Sequence, residues 1–226
     1  KYLFAYYQTL QGVFAGYDLV AMTNFMEELR MIKDSSEIAT IRKACSISDR
    51  AFADMLDFIK PGQTTELQVA NFLDFRMREY GASGVSFETI AASGYRSAMP
   101  HGVASEKVIQ SGETLTLDFG CYYNHYVSDM TRTIHIGETT DEEREIYDVV
   151  LRANQAVIDS VKAGMTRRDY DKLARDVIVK AGYAEQFTHG IGHGIGLDIH
   201  EIPFFGNSDE LVEVGMTITD ETRNLP

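Results

Sequence analysis

The stretch His-Gly-Ile-Gly-His-Gly-Ile-Gly-Leu-Asp-Ile-His-Glu, residues 189–201, contains three of the six histidines of the chain: His189, His193 and His200. Four glycines, at every second position from Gly190 to Gly196, leave little side-chain bulk between them. Glycine loses more backbone entropy on folding than any other residue, so this spacing predicts unusual dihedrals or close approach of the backbone to a ligand. Imidazole binds divalent metals and moves protons near neutral pH, which makes the stretch a candidate metal or catalytic site.

The spacing excludes two common motifs. A dinucleotide-binding fingerprint would need a third glycine where Ile195 or Leu197 stands. A helical zinc-protease motif would need a second histidine where Phe204 stands. A glycine-rich loop with incidental histidines remains an alternative at this point, and the carboxylates elsewhere in the chain decide between the two.

Composition limits the class of protein. The chain has 226 residues, a formal net charge of -13 and an apolar share of 44%. It can bury a core, and its charge argues against nucleic acid or an anionic membrane as a partner. No apolar run approaches the roughly 18 residues that a membrane span needs. With only Cys45 and Cys121 there is no disulfide framework, so we expect a reducing, cytoplasmic setting.

Two similar helix pairs are predicted. Asp34 with Glu37 can cap a helix that Pro61-Gly62 ends, and a second helix follows Thr64-Thr65. From Thr140 a similar pair recurs, and an offset of about 102 positions aligns Thr64 with Thr166. We interpret this as an internal duplication with an active site at the seam between halves. Residues 1–33 are predicted to be the remnant of an N-terminal domain and linker, and residues 34–226 the catalytic domain.

The segment between the helix pairs is predicted to be β structure. Residues 85–93 form one strand and residues 114–136 a hairpin whose turn is centred on Tyr123-Asn124. That register places Asp118 directly opposite Asp129, with Cβ atoms roughly 4.5 to 5.5 Å apart. Opposed like charges favour a divalent cation between them, although two solvent-facing aspartates or a bulge remain alternatives. The candidates to join the two aspartates are His101, His193, His200 and Glu221. Carboxylates with a single imidazole make a shell that is rich in oxygen and favours manganese, cobalt or iron over structural zinc.

Four separated motifs resemble the pita-bread metallopeptidases: residues 118–120 (Asp-Phe-Gly), 128–133 (Ser-Asp-Met-Thr-Arg-Thr), 189–201 and 219–221 (Thr-Asp-Glu). His189 and the ending Gly-Leu-Asp-x-His are closest to the Xaa-Pro dipeptidase (prolidase) and aminopeptidase P branch. The resemblance implies an α+β pita-bread fold with pseudo-twofold internal duplication. It covers about residue 35 to the end.

The resemblance also implies residue roles. Asp118 would hold one metal and Asp129 would bridge both, while His193 and Glu221 would hold the other. Glu221 would in addition accept a proton from the bridging water. His101 and His200 would orient the substrate and stabilise the tetrahedral intermediate, and His189 would line the substrate pocket.

The implied function is Xaa-Pro dipeptidase activity, in which a hydroxide bridging two metals attacks the carbonyl before proline. We expect two manganese ions, with cobalt, iron or zinc as alternatives, a small peptide substrate, and a homodimer in the full-length form. Aminopeptidase P activity on longer peptides and a non-catalytic pita-bread binding module are the alternatives. The Asp118, Asp129 and His193 set argues against a metal-free, creatinase-like amidinohydrolase.

The sequence departs from the family at its end. In the family, Asp-Glu leads into Pro-Gly, and a later strand supplies a second glutamate that bridges the metals. Here Glu221 is followed by Thr-Arg-Asn-Leu-Pro. We therefore expect a C-terminally truncated domain that lacks its last strands and the fifth metal ligand.

Overall fold

The computed structural model describes residues 2–99 and 101–222. These residues form helices and strands together, which confirms the predicted α+β class. The tail 223–226, to which the expected loss of final strands refers, lies outside the described residues. The helices are α1 (Tyr2–Val13), α2 (Phe25–Met31), α3 (Ser35–Phe58), α4 (Glu66–Glu79), α5 (Asp141–Ser160) and α6 (Arg167–Lys180). None of the helices in this part of the chain is long and apolar enough to cross a bilayer.

Local capping determines where α3 and α5 begin. The Asp34 carboxylate accepts from the backbone N–H of Glu37, and the Glu37 carboxylate accepts from that of Asp34. Thr140 and Glu143 make the same reciprocal pair at the start of α5. Such a capping box satisfies two backbone donors that the helix cannot satisfy itself. Both predicted helix starts are therefore confirmed.

The first 33 residues are more regular than the sequence indicated, because α1 and α2 both lie within them. Nearly all side chains of α1 are exposed, including Leu3, Phe4 and Tyr6. The segment joins the rest of the chain at Lys33, whose backbone N–H donates to the Gly215 carbonyl over 2.9 Å.

The prediction of one strand over residues 85–93 is wrong. The segment forms two strands in different sheets, β1 (Gly84–Val85) and β2 (Ile90–Ser93). Between them the Ser86 N–H donates to the Gly120 carbonyl, and the Thr89 hydroxyl donates to the Asp74 carboxylate. These bonds take the chain out of the first sheet before it enters the second.

The predicted hairpin exists, but its register is displaced by two residues. Its strands are β3 (Glu113–Phe119), β4 (Cys121–Tyr123), β5 (Tyr126–Val127) and β6 (Met130–Ile136). The turn is Asn124-His125, both with positive φ, rather than Tyr123-Asn124. A two-residue hairpin loop of type I′ needs positive φ at both positions, which asparagine and histidine adopt more readily than tyrosine does. Asp118 is consequently opposite Thr131 and not Asp129.

The two halves share one plan. In the first half the Gly62 N–H donates to the Ile109 carbonyl, and in the second the Gly164 N–H donates to the Val212 carbonyl, each over 2.8 Å. The predicted duplication is present in the paired helices α3–α4 and α5–α6. The predicted alignment of Thr64 with Thr166 is wrong by one residue. Thr65, and not Thr64, is the N-cap that corresponds to Thr166.

Three hydrophobic clusters lie beneath these elements. The largest is built from α3, α4 and the β2–β3–β6 sheet, and a second from α5, α6 and residues 187–212. The third is small and consists of Ile41 from α3, Val127 from β5 and Ile195 from the glycine-rich stretch. It packs the first half against the glycine-rich stretch, next to the predicted site.

Candidate metal centre

One face of the glycine-rich stretch is in close contact with neighbouring segments of the chain. A Cβ added at any of its four glycines would lie within 3.0 Å of another atom. Those atoms are Phe205 O for Gly190, Thr219 O for Gly192, Ile202 O for Gly194 and Glu201 Oε1 for Gly196. None of the four has a positive φ. The spacing therefore serves close packing against the chain's own atoms, whereas the sequence had suggested unusual dihedrals or a ligand.

His193 lies between two neighbouring segments. On one side β7 (His193–Gly194) pairs with β8 (Glu201–Phe204). On the other side, residues 217–221 run antiparallel to it: the Thr219 N–H donates to the His193 carbonyl over 2.8 Å, and the Glu221 N–H to the Ile191 carbonyl over 2.6 Å. This pairing fixes the backbone of His193 relative to that of Glu221.

Three of the predicted ligands converge at this point. His193 Nε2 lies 2.8 Å from Glu221 Oε1 and 3.4 Å from Asp129 Oδ2. One ligand atom from each residue lies within 4.8 Å of the other two. Their side chains are 10%, 17% and 12% exposed for His193, Glu221 and Asp129 respectively, so water screens their charges little. Asp129 comes from the loop before β6, and the other two come from the paired segments just described.

The imidazole of His193 has a defined orientation. Its Nδ1 lies 3.0 Å from the Gly194 carbonyl oxygen, which can only accept, so Nδ1 carries a hydrogen and Nε2 faces the carboxylates. Burial alone would lower the pKa of His193, but hydrogen bonds to Asp129 and Glu221 outweigh it and raise the pKa to about 10. The two carboxylates therefore make the surroundings of Nε2 negative, which favours a positive charge at this point.

Asp118 belongs to the same hairpin as Asp129 but is not part of this group. Among the described residues, the cluster with mutual ligand distances under 4.8 Å contains Asp129, His193 and Glu221 only. Asp118 is 6% exposed near the end of β3, opposite Thr131. Because side chains alternate along a strand, a displacement of two residues does not itself turn Asp118 and Asp129 to opposite faces.

The other predicted histidines have different surroundings. The ring of His200 lies against that of His193, with centroids 4.3 Å apart, and His200 is exposed. His189 is partly buried, meets the Phe187 ring edge-on, and has its carbonyl held by Arg175 at 2.8 Å. His101 lies in an exposed turn after the 3-10 helix Gly94–Ala98.

A buried ion pair beside the site has no counterpart in the sequence-based prediction. Lys33 Nζ and Glu201 Oε1 are 2.6 Å apart, with side chains only 1% and 4% exposed. Arg30 adds a second contact to Glu201, at 2.6 Å. Glu201 directly follows His200, so these cations hold the end of the glycine-rich stretch against residues 30–33. Lys33 and Glu201 are more than 160 residues apart in the sequence, and no local pattern indicates that they form a pair.

Asp220, adjacent to Glu221, is partly buried. The Asn154 side chain donates to its Oδ2 over 2.9 Å. Burial, followed by the charge of Glu221, raises the pKa of Asp220 to about 7. The sequence placed Asp220 within a motif but gave it no role.

The chemistry of the clustered side chains fits a divalent cation. Two carboxylates and one imidazole whose Nε2 faces them are ligands that manganese, cobalt, iron and zinc accept. The Gly194 carbonyl fixes the imidazole from its other nitrogen, as such partners do for metal-ligating histidines. Of the predicted ligands, Asp129, His193 and Glu221 are brought together, and Asp118 lies outside this group of three.

Sequence comparison relates the chain to known peptidases. The profile of metallopeptidase family M24 matches residues 39–224. The Xaa-Pro dipeptidase of Pyrococcus furiosus is 45% identical over 197 residues, which are 87% of this chain and 56% of that protein.

Solved structures agree with the sequence relatives. The Xaa-Pro dipeptidase from Bacillus anthracis has a TM-score of 0.93 at 47% identity, covering 96% of this chain and 61% of its own. The X-Pro aminopeptidase from Thermotoga maritima has a TM-score of 0.90 at 39% identity, with 96% and 61% covered. These likenesses confirm the predicted pita-bread fold. The chain spans 56% to 61% of the length of these relatives.

Proposed function

This chain belongs to metallopeptidase family M24, and we propose that it is a metal-dependent peptidase that hydrolyses the bond between an N-terminal residue and proline. The observation that carries the proposal is the convergence of Asp129, His193 and Glu221 within 4.8 Å of one another. The similarity to proteins named Xaa-Pro dipeptidase supports the choice of substrate.

Two divalent ions are proposed at this centre, with manganese preferred and cobalt, iron or zinc as alternatives. Asp129 would bridge them, His193 and Glu221 would hold one, and Asp118 the other. When bound, the ions would lower the pKa of a shared water and polarise the carbonyl before proline.

The remaining roles belong to side chains of the chain itself. Glu221 is proposed to accept the proton of the attacking water at a carboxylate oxygen. His200, in ring contact with His193, and His101 are proposed to orient the substrate, and His189 to line its pocket. A bond to proline lacks the N–H that most proteases pair with when they bind substrate as a strand, so a small pocket that recognises termini and ring shape suits this substrate.

A second candidate is aminopeptidase P activity on longer peptides. The observation that favours it is the similarity to the X-Pro aminopeptidase from Thermotoga maritima. The two candidates differ in whether the chain tolerates residues beyond proline, and substrate length therefore distinguishes them.

The test combines metal analysis with hydrolysis. For the full-length form we expect two equivalents of Mn²⁺ or Co²⁺ per chain, and metal-dependent cleavage of an Xaa-Pro dipeptide faster than of an Xaa-Pro-Xaa tripeptide. The reverse preference would support the aminopeptidase. A chain that binds no metal and cleaves neither peptide would contradict the proposal and leave a non-catalytic binding module.

Asp129→Asn tests the bridging role. We expect hydrolysis to fall by more than about 100-fold, because losing even an outer partner of a metal ligand costs about 10–100-fold. Asp209→Asn is the control, since the Asp209 side chain is 76% exposed in a surface pair with Arg168. Equal rates of hydrolysis for the two variants would show that Asp129 does not belong to the metal site.

A further inference from the structure

We propose that the Thr219 hydroxyl is a positioning group that ties His193 to Glu221 and sets the metal affinity of the centre. The inference rests on the proposed function, because it takes both residues as metal ligands. It assigns Thr219 a role that its place in the motif Thr-Asp-Glu does not specify.

The backbone pairing of Thr219 with His193 is unusual in one bond. In a hydrogen-bonded antiparallel pair, the two residues exchange two N–H to carbonyl bonds. Here the Thr219 N–H does donate to the His193 carbonyl, but the His193 N–H donates to Thr219 Oγ1 at 3.0 Å. The Thr219 carbonyl instead accepts from the Tyr170 hydroxyl at 3.0 Å. The Thr219 hydroxyl thus takes the place of the Thr219 carbonyl as the acceptor for the backbone N–H of His193, a predicted metal ligand.

The hydroxyl proton is then directed at the second ligand. Thr219 Oγ1 lies 2.9 Å from Glu221 Oε1 and 3.4 Å from the His193 carbonyl. A hydroxyl has one hydrogen to donate, and the carboxylate is both nearer and charged, so the bond to Glu221 is the stronger. One oxygen atom therefore accepts from His193 and donates to Glu221.

Burial makes this link difficult to replace. Thr219 is 9% exposed, and Tyr170, which holds its carbonyl, is 2% exposed and packs on Phe205 with ring centroids 4.3 Å apart. Gly192 lets Thr219 approach, because a Cβ there would lie within 3.0 Å of both Thr219 O and Oγ1. Water therefore has little access to restore the bonds if the hydroxyl is removed.

Thr217 offers a matched comparison within the same segment. Its hydroxyl donates to the Ile195 carbonyl at 2.6 Å, two residues along the same pairing from the bond that Thr219 makes. That bond joins the same two segments but involves neither predicted ligand. Removing each hydroxyl in turn therefore separates a general loss of strand pairing from a specific effect on the ligands.

The test is Mn²⁺ affinity, measured by electron paramagnetic resonance of the free ion, in the parent and three variants whose folding is verified by circular dichroism. We expect Thr219→Val to raise the Kd by about 10–100-fold, the usual effect of losing an outer partner of a metal ligand. Thr219→Ser keeps the hydroxyl and should bind like the parent, as should Thr217→Val. If valine prevents folding, Thr219→Ala takes its place with the same expected result.

Three outcomes would overturn the inference while leaving the proposed function intact. They are unchanged affinity in a folded Thr219→Val, a loss in Thr219→Ser as large as in Thr219→Val, and a comparable loss in Thr217→Val. A parent chain that binds no Mn²⁺ overturns the proposed function itself, and with it the assignment of His193 and Glu221 as ligands.

Discussion

Gly192 shows how single residues determine the geometry of the centre. It precedes His193, and any side chain there would push against Thr219 O and Oγ1. We expect Gly192→Ala to destabilise the fold by about 1–3 kcal/mol, the usual cost of overpacking. It should also weaken Mn²⁺ binding, because the segments that carry His193 and Glu221 must separate. Urea unfolding and Mn²⁺ titration measure the two effects.

Gly12→Ala is the control for Gly192→Ala. Gly12 lies in the exposed helix α1, and a Cβ there would meet nothing within 4 Å. Alanine favours a helix over glycine, so this variant should be neutral or slightly more stable. A Gly192→Ala variant with the same urea midpoint and the same Mn²⁺ affinity as the parent would contradict this prediction. It would show that the two segments accommodate the added methyl group without separating.

The proximity of individual candidate residues was predictable where a sequence motif contains them. His193 and Glu221 were recognised from their motifs, and the structure places them 2.8 Å apart. Thr219 and Lys33 were not predicted to take part, because their importance depends on partners that only the folded chain brings close. A hydroxyl that replaces a backbone acceptor leaves no pattern in the sequence.

Glu66, at the start of α4, anchors the loop that carries His101. Its carboxylate is fully buried and accepts hydrogen bonds from the two ends of residues 93–105 and from the segment between them. The donors are the backbone N–H and hydroxyl of Ser93, the Arg96 guanidinium, and the hydroxyl and backbone N–H of Ser105. Burial alone would raise the pKa of Glu66, but these bonds and the charge of Arg96 outweigh it and lower the pKa.

This arrangement predicts that Glu66→Gln lowers the free energy of unfolding by an amount that depends on pH. A carboxylate with a lowered folded-state pKa stabilises fully above its unfolded pKa of about 4.3, and that stability is lost as the pH falls through the folded value. We expect the variant to be less stable by about 1–3 kcal/mol at pH 7. Below about pH 4 the Glu66 carboxylate of the parent becomes protonated, so the difference in urea midpoint between the parent and Glu66→Gln should become smaller.

Glu213→Gln controls for the general effect of acid, since Glu213 is exposed. Its difference from the parent should be small at every pH. A Glu66→Gln difference that stays constant from neutral to acidic pH would mean that the charge of Glu66 contributes nothing and that packing alone explains the loss.

Elements were predictable where their signals are local. The starts of α3 and α5 follow from capping residues within four positions, and both were predicted. The break between β1 and β2 was missed, because it depends on a bond from Ser86 to Gly120, which is distant in the sequence. The hairpin register was wrong for the same kind of reason, since the choice of turn depends on which residues adopt positive φ.

The repetition of one plan in both halves is a property of the whole molecule. Each half joins its helix pair through a glycine with positive φ, Gly62 at 75° and Gly164 at 89°. Each glycine N–H also bonds to the extended segment of its own half. The duplication could be predicted because it repeats these residues, and a site at the seam between the halves was predicted with it. The structure places Asp129 of the first half 3.4 Å from His193 of the second.

If the two halves repeat one plan, the matching substitutions Gly62→Ala and Gly164→Ala should have matching effects. A Cβ at either position would meet nothing within 4 Å, so the cost comes from backbone strain alone. Left-handed conformation costs an L-residue about 1–2 kcal/mol, and we expect each variant to lose that amount in urea unfolding. Because the sites are in different halves and share no partner, the double variant should lose the sum. A large loss at one glycine and none at the other would indicate that only one half retains the left-handed turn in solution.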